Sequence, residues 1–342
     1  MRLPTVWCGR LLASFFCGVV LGFVVATLDF QSSSLWLQER LQTATIDSYE
    51  YKLAAPDVLP SAKRFVPTAW RNPECNRTTA DGVKQRVRVL CWVMTGPENH
   101  ATKAAAVNAT WGQHCDKLLF MTSKHDTTLP TVALDVSEGR QHLWAKTQAA
   151  FKYIVHEGLL ESTDWVLKAD DDTFMVMENL RHLLLPLNAS RALFVGLRLR
   201  PFSPQGFMSG GAGYVLSRMA VLRFVEEGLS GDIRGCNNSG KDGEDVAMGR
   251  CMVALNATFL DSRDSDGLER FHAYGPERQM APDNGMNWLK NYSYYPLQPP
   301  SKCCSAAAVS FHYISATAMR AMYYLIYRLK LHEVNECELP AS

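Results

Sequence analysis

Two patterns of hydrophobic and polar positions follow one another along the chain from residue 83 onward. Short apolar runs rich in valine, leucine and aromatic side chains are typical of buried strands, and between them apolar positions recur at the spacing of a helix face. The pattern predicts strands at 87–94, 117–121, 165–169 and 192–199, and helices at 101–111, 141–156, 177–185 and 217–227. Strands that alternate with helices indicate an α/β domain whose largely parallel sheet is covered on both faces.

The N-terminal part of the chain has a different pattern, because residues 11–28 form an uncharged apolar run that follows Arg2 and Arg10. This run is long enough to cross a bilayer, and the positive-inside rule then places the rest of the chain in the lumen. A cleaved signal peptide, with a cleavage site at 24–26, is the alternative, although the run is longer than the apolar h-region of a typical signal peptide. We expect a cytoplasmic tail at 1–10, a transmembrane anchor at 11–28, a lumenal stem at 29–83 and one globular domain at 84–342.

Composition and glycosylation sequons agree with a lumenal globular protein. The chain has 342 residues, 47% of them hydrophobic, which is enough for a full-sized core. Lys plus Arg is 35 against 34 for Asp plus Glu, which gives no support to nucleic acid as a partner. Glycosylation sequons occur at Asn76, Asn108, Asn188, Asn237, Asn256 and Asn291.

The cysteines beyond the apolar run are even in number, as expected for disulfides in an oxidising compartment. A zinc site is the alternative, but no pair has the C-x-x-C spacing. Cys91 lies in the first predicted strand and Cys115 just before the second. Adjacent strands would bring the two within bridging range, so we predict a disulfide between them.

Three consecutive carboxylates, Asp170, Asp171 and Asp172, end the apolar run in DWVLKADDDTFM at 164–175. The carboxyl end of a strand is where open α/β sheets bind ligands. Three adjacent carboxylates repel one another, and a divalent cation is their natural neutralising partner. The alternative is a solvated acidic turn, because Asp is common in turns and helix caps.

Further candidates flank this cluster. The strand in VLCWVMTGP ends at Thr95 and offers a loop at the same sheet edge. Lys146 lies on the long helix before the Asp strand, where a plain surface lysine is the alternative. Gly210 and Gly211 in MSGGAGYVLS allow the backbone to approach a ligand closely, or they form a tight turn.

Two more polar positions suggest catalysis and metal binding. Glu244 and Asp245 stand at a predicted helix start, where the dipole favours ionised carboxylates and where simple capping is the alternative. An ionised carboxylate at the rim of a cleft is what a general base for a sugar hydroxyl requires. His312 in VSFHYI is either a core histidine or, beside a carboxylate, part of a nitrogen and oxygen site suited to Mn²⁺.

Taken together, these motifs resemble the core 1 β1,3-galactosyltransferases of glycosyltransferase family 31. The resemblance runs from about 87 to 314 through VLCWVMTGP, WGQHCDKLLFMTS, DWVLKADDDTF, MSGGAGYVLS, EDVAMGRCM, NYSYYP, CCS and SFHY. It implies a GT-A (Rossmann-like) fold in a single-pass type II Golgi membrane enzyme whose catalytic domain is lumenal. Such an enzyme moves galactose from UDP-galactose to O3 of GalNAc α-linked to Ser or Thr of glycoproteins, with Mn²⁺ and inversion. A homodimer is compatible with this assignment.

The resemblance also implies roles for individual residues. The carboxylates match the family's D-x-D element, in which Asp172 is the candidate metal ligand, and His312 matches the second metal ligand. Asp245 lies where related inverting enzymes place the base, and Trp288 and Tyr313 fall among aromatics expected to stack on the acceptor sugar. The residues assigned to the nucleotide sugar are Thr95, Lys146, Asp170, Asp171, Gly210 and Gly211.

Two segments depart from the family pattern. After Gly196 the chain reads LRLRP, where relatives place two basic residues directly after the glycine, and GCNNSGKD at 235–242 is individual. Three alternative functions follow: the same donor with a glycolipid or glycosaminoglycan acceptor, a non-catalytic chaperone-like relative, or a lumenal lectin. The carboxylates, His312 and Asp245 favour catalysis over the last two.

Overall fold

The computed structural model describes residues 77–330, apart from positions 204, 232, 237–242, 282–284 and 286. The expected tail, the expected anchor and residues 29–76 of the expected stem lie outside this range, so these assignments stay predictions. Among the described residues, none of the helices combines the length and the apolar character that a bilayer crossing needs.

Twelve strands and nine α-helices occur in the described part of the chain. The strands are β1 (Val89–Met94), β2 (Lys117–Thr122), β3 (Thr131–Ala133), β4 (Trp165–Asp170), β5 (Phe174–Met175), β6 (Leu193–Gly196), β7 (Arg198–Leu199), β8 (Phe207–Met208), β9 (Tyr214–Ser217), β10 (Thr258–Phe259), β11 (Phe271–His272) and β12 (Ser310–Phe311). The helices are α1 (Arg77–Arg86), α2 (Ala105–Asn108), α3 (Leu143–His156), α4 (Met177–Leu184), α5 (Arg218–Glu226), α6 (Glu244–Ala254), α7 (Pro276–Met280), α8 (Asn287–Tyr292) and α9 (Ala316–Tyr323). Short 3₁₀ or π turns cover Pro97–Asn99, His100–Ala104, Trp111–His114, Arg140–His142, Gly228–Ser230, Pro300–Lys302 and Tyr324–Arg328.

The central sheet has seven strands in the order β10-β6-β9-β4-β1-β2-β3. Six of them are parallel, and β9 alone runs antiparallel to its neighbours β4 and β6. A three-stranded sheet, β11-β12-β5, and the two-stranded hairpin β7-β8 lie beside it. The mixed α/β fold with a parallel-rich sheet is confirmed.

Alternate residues of the central strands enter two separate cores. In β1, Val89, Cys91 and Val93 pack with α4 and α9, whereas Leu90 and Trp92 pack with α3, α5 and α6. This alternation is the pleat of a strand that is covered on both faces. It explains why β1 is apolar at every position.

Most predicted elements are present with shifted ends, and three differ in kind. The predicted strand 192–199 is divided into β6 and β7 at Leu197, whose carbonyl oxygen accepts a hydrogen bond from Ser209 N–H. The predicted helix 101–111 is an irregular series of π, α and 3₁₀ turns. The pattern predicts no strand in the glycine-rich run before 217, but the structure has β9 there.

The predicted disulfide between Cys91 and Cys115 is confirmed, with Cα atoms 5.9 Å apart. It joins β1 to the residues just before β2. Two further disulfides among the described residues, Cys236–Cys251 and Cys303–Cys304, use cysteines for which no pairing was predicted. The zinc alternative is therefore wrong for these six cysteines.

Candidate functional site

A cavity of about 470 Å³ opens at the edge of the sheet where β1 and β4 end. Its walls come from the loop after β1, the turn before α3, the end of β4, the glycine loop before β9, the start of α6 and the residues after β12. Every predicted site residue except Trp288 lines this cavity. The sheet edge that the sequence predicted is thus where the polar side chains meet.

Asp170, Asp172 and His312 form a candidate metal centre, because one ligand atom from each lies within 4.8 Å of the others. His312 Nε2 is 3.1 Å from Asp172 Oδ1 and 3.8 Å from Asp170 Oδ2. Burial would raise the pKa of Asp172, but His312 and Lys103 more than offset it and lower that pKa to about 2. One imidazole nitrogen with ionised carboxylate oxygens is a donor set that suits Mn²⁺.

Gly211 provides the space for this centre. A Cβ at that position would overlap the His312 imidazole, with Nε2 at 2.7 Å. The backbone of the glycine loop does make a close approach, as predicted, and the group that it approaches is the His312 side chain.

Asp171 is not one of the three grouped ligand residues. Its Oδ2 accepts a hydrogen bond of 2.8 Å from Thr95 Oγ1, and burial raises the pKa of its carboxyl. Lys103, which the sequence analysis did not single out, places its ammonium 3.5 Å from Asp171 Oδ1 and 3.0 Å from Asp172 Oδ2. The middle aspartate thus ties the loop after β1 to the end of β4.

Lys146 is a buried lysine, which overturns the surface alternative. Its Nζ donates to the Thr95 carbonyl oxygen at 2.7 Å and to Glu138 Oε2 at 2.6 Å. The side chain therefore fixes the loop after β1 and the turn before α3 on either side of the cavity.

Lys168 is a second residue at this site that the sequence did not reveal. Its side chain is only 2% exposed, and Nζ donates to Asp170 Oδ1 at 2.5 Å and to the Gly210 carbonyl oxygen at 3.1 Å. Burial would lower the pKa of Lys168, but the charges of Asp170 and Glu244 raise it. The signal in the sequence is its place two residues before Asp170, which puts both side chains on one face of β4.

Glu244 and Asp245 begin α6 and have different surroundings. Glu244 is buried and accepts hydrogen bonds from Tyr214 Oη at 2.7 Å and Thr147 Oγ1 at 3.0 Å. Asp245 accepts from Gly210 N–H at 3.1 Å and from Val246 N–H at 2.9 Å. Burial raises the pKa of both carboxyls. A raised pKa moves a carboxylate toward the range of an effective general base.

The two aromatic residues predicted for the acceptor are joined through a third. Tyr313 is 61% exposed, lies in the cavity wall and stacks on Tyr274, with ring centroids 5.4 Å apart. Trp288 Nε1 donates to Tyr274 Oη at 2.8 Å. Trp288 therefore stands next to the cavity mouth and not within it.

Residues 85–281 match the family model described as Fringe-like. The chain is 42% identical over 263 residues to glycoprotein-N-acetylgalactosamine 3-beta-galactosyltransferase 1 of Xenopus laevis, covering 76% of this chain and 71% of that protein. It is 30% identical to chondroitin sulfate glucuronyltransferase of Homo sapiens, over 62% of this chain and 27% of that one. The beta-1,3-glucosyltransferase of Mus musculus is 29% identical, over 52% of this chain and 36% of that protein.

Two solved structures are similar only at a low level. One is a glycosyltransferase involved in the glycosylation of the major capsid of PBCV-1, with 12% identity, a TM-score of 0.30 and coverage of 46% of this chain and 71% of that chain. The other is 4-diphosphocytidyl-2C-methyl-D-erythritol synthase, with 15% identity, a TM-score of 0.32 and coverage of 53% and 92%. At these TM-scores neither likeness defines the fold.

Proposed function

Because the chain belongs to the core 1 β1,3-galactosyltransferase family and carries a Fringe-like domain, we propose that it moves galactose from UDP-galactose to O3 of GalNAc α-linked to Ser or Thr. The observation that carries this proposal is the meeting of Asp170, Asp172 and His312 with Asp245 in one cavity. A metal-binding group and a separate carboxylate are the two parts that inverting transfer from a nucleotide sugar needs. The proposed fold type is GT-A.

Asp170, Asp172 and His312 would hold the metal ion, for which Mn²⁺ fits the donor set. Such an ion, when bound, supplies Lewis-acid stabilisation of the charge that develops on the departing UDP. Lys168 keeps Asp170 in place through one carboxylate oxygen and leaves the other facing His312.

Asp245 is the proposed general base. Gly210 N–H holds Oδ2 of this carboxylate in the cavity wall, and the carboxylate would accept the proton of the acceptor O3 hydroxyl. Attack by O3 from the side opposite the leaving UDP inverts the anomeric centre in one step. No protein nucleophile is required for that geometry.

We further propose a single-pass type II protein of the Golgi membrane. The apolar run at 11–28, the basic residues before it and the sequons after it support this proposal. The partners proposed are UDP-galactose, GalNAc-bearing glycoproteins and, as an assembly, a second copy of the chain.

The test is a radiolabelled sugar-transfer assay on the secreted domain from residue 40 onward. The acceptors are a GalNAc-α-Thr peptide, a glycolipid and a glycosaminoglycan, with Asp172→Asn and His312→Ala as metal-site variants and Lys152→Met as a surface control. We expect Mn²⁺-dependent transfer to the peptide, lost in both metal-site variants and retained in the control. Full activity in EDTA, or near-normal activity in either metal-site variant, would contradict the proposed centre. Transfer to the glycolipid or the glycosaminoglycan without transfer to the peptide would contradict the proposed substrate.

A further inference from the structure

A continuous series of aromatic rings leads from the cavity mouth to the β7-β8 hairpin. We call this series the aromatic ridge. Consecutive ring centroids are 5.4 to 6.1 Å apart along the order Tyr313, Tyr274, Trp288, Tyr292 and Phe202. Distances of this size are those of direct ring-to-ring contact.

Local structure holds the ridge in place. Trp288 and Tyr292 are four residues apart on α8, which puts both rings on one helix face. The carbonyl oxygen of Tyr292 accepts a hydrogen bond of 2.6 Å from Arg200 N–H, and Ser293 bridges to Leu199 of β7. The helix and the hairpin that carry the rings are therefore fixed to each other.

The ridge is open on its outer side. Tyr313 is 61%, Phe202 50% and Trp288 38% exposed, although all three side chains are large and apolar. Single exposed hydrophobic side chains are common on proteins, whereas a contiguous series of them marks an interaction surface.

The place of Tyr313 identifies the occupant. This residue belongs both to the cavity wall and to the ridge, so a molecule that fills the cavity mouth continues onto the ridge. In the proposed reaction, O3 of GalNAc points into the cavity. The polypeptide is attached at C1 and must therefore lie outside it. At a rise of about 3.1 Å per residue, the four ring-to-ring steps correspond to at most about seven residues of extended peptide.

We propose that the aromatic ridge binds the extended polypeptide of the acceptor, through proline or other apolar side chains that flank the glycosylated residue. Aromatic-lined surfaces are a common way to bind proline-containing extended segments, because these are preformed and lose little entropy. This inference rests on the proposed function and adds the peptide part of the substrate to it. Phe202 and Tyr292 become determinants of acceptor choice at a distance from the reacting atoms.

The test compares kcat/KM for three acceptors: GalNAc-α-methyl glycoside, a glycopeptide with prolines on both sides of GalNAc-Thr, and the same glycopeptide with serine in place of each proline. Wild-type protein should prefer the proline glycopeptide. Phe202→Ala should reduce the ratio of kcat/KM for the proline glycopeptide to that for the methyl glycoside by about tenfold, as expected for removing a half-buried aromatic contact. Phe202→Tyr keeps the ring and should keep the ratio. Tyr324→Ala removes an exposed aromatic ring outside the ridge and is the matched control.

The outcomes separate the two proposals. Wild-type protein that transfers to none of the three acceptors overturns the proposed function itself. Wild-type protein that is active but treats the two glycopeptides alike overturns the ridge proposal, and this comparison does not depend on any variant folding. A Phe202→Ala protein with an unchanged ratio also overturns it. A changed sedimentation coefficient together with an unchanged ratio would assign the ridge to contacts between copies of the chain.

Discussion

Replacing Gly211 by alanine tests whether the glycine loop exists to make room for His312. The added Cβ would overlap the imidazole ring, whose Nε2 would be 2.7 Å from it. Ordinary contact between such atoms is about 3.5 Å or more, and the ring atoms Cε1 and Nδ1 would lie closer still than Nε2, so the ring must retreat by at least about 1 Å. The backbone at Gly211 has an ordinary φ, so the substitution adds no backbone strain of its own.

The magnitude follows from the geometry of the metal centre. His312 Nε2 is 3.1 Å from Asp172 Oδ1, and a retreat of about 1 Å takes it beyond the tolerance of about 0.2 Å for metal–ligand distances. The centre would then keep two carboxylates and lose its nitrogen ligand. Displacing even a supporting residue of a metal site costs about 10- to 100-fold in affinity, so we expect a loss of at least that size.

The assay is calorimetric titration of Mn²⁺ into Gly211→Ala, with His312→Ala and Gly82→Ala for comparison. Gly82 lies in α1, and a Cβ there would meet nothing within 4 Å, so this variant should bind the metal as wild type does. Gly211→Ala should match His312→Ala while melting at the same temperature as wild type. A Gly211→Ala protein with wild-type metal affinity would refute the reasoning.

Three further predictions concern carboxylates and their partners. Asp245→Asn should retain UDP affinity by calorimetry while kcat falls by the roughly 10² to 10⁴ of lost general-base catalysis, and undiminished turnover would move the base elsewhere, with Glu244 first to examine. Lys168→Met leaves Asp170 without its buried cation and should destabilise the domain by about 3 to 5 kcal/mol in urea unfolding, whereas a loss below about 1 kcal/mol would contradict a buried charge pair. Burial raises the pKa of Glu269 to about 7, so the native state holds a proton that the unfolded chain has already released, and stability falls as pH rises from about 4.5 to 7. Glu269→Gln should remove a penalty of up to about 3 kcal/mol at about pH 8 and change little near pH 4, and equal stability of the two proteins at pH 8 would contradict the shift.

The sequence predicted those site residues whose location depends only on where they stand along a strand. Asp170 and Asp172 end a strand, and the carboxyl ends of parallel strands meet at one edge of the sheet, so their location did not depend on side-chain detail. The same reasoning about neighbouring strands predicted the Cys91–Cys115 pair.

Contacts between distant segments could not be predicted from the sequence, because hydrophobic periodicity describes one helix or strand at a time. Nothing near Lys146 indicates that its ammonium reaches the Thr95 carbonyl, and nothing near Lys168 names Gly210 as its partner. The strand β9 was missed because its four residues follow a glycine loop that fits a turn equally well. Tyr274 was missed because only its contacts with Tyr313 and Trp288 distinguish it from other half-exposed tyrosines.

The reversed direction of β9 has a consequence for how related enzymes can diversify. A connection between two parallel strands must run from the carboxyl end of one strand back to the amino end of the next, usually through a helix. Since β6 and β9 are antiparallel neighbours, the chain between Gly196 and Tyr214 begins and ends at the edge where the cavity opens. Apart from Gly210 and Gly211, which contact the site, its length and composition can therefore change without altering the order of strands that holds Asp170 and Asp172. The departure from the family after Gly196 falls in this connection, where acceptor preference can evolve while the donor half of the site stays constant.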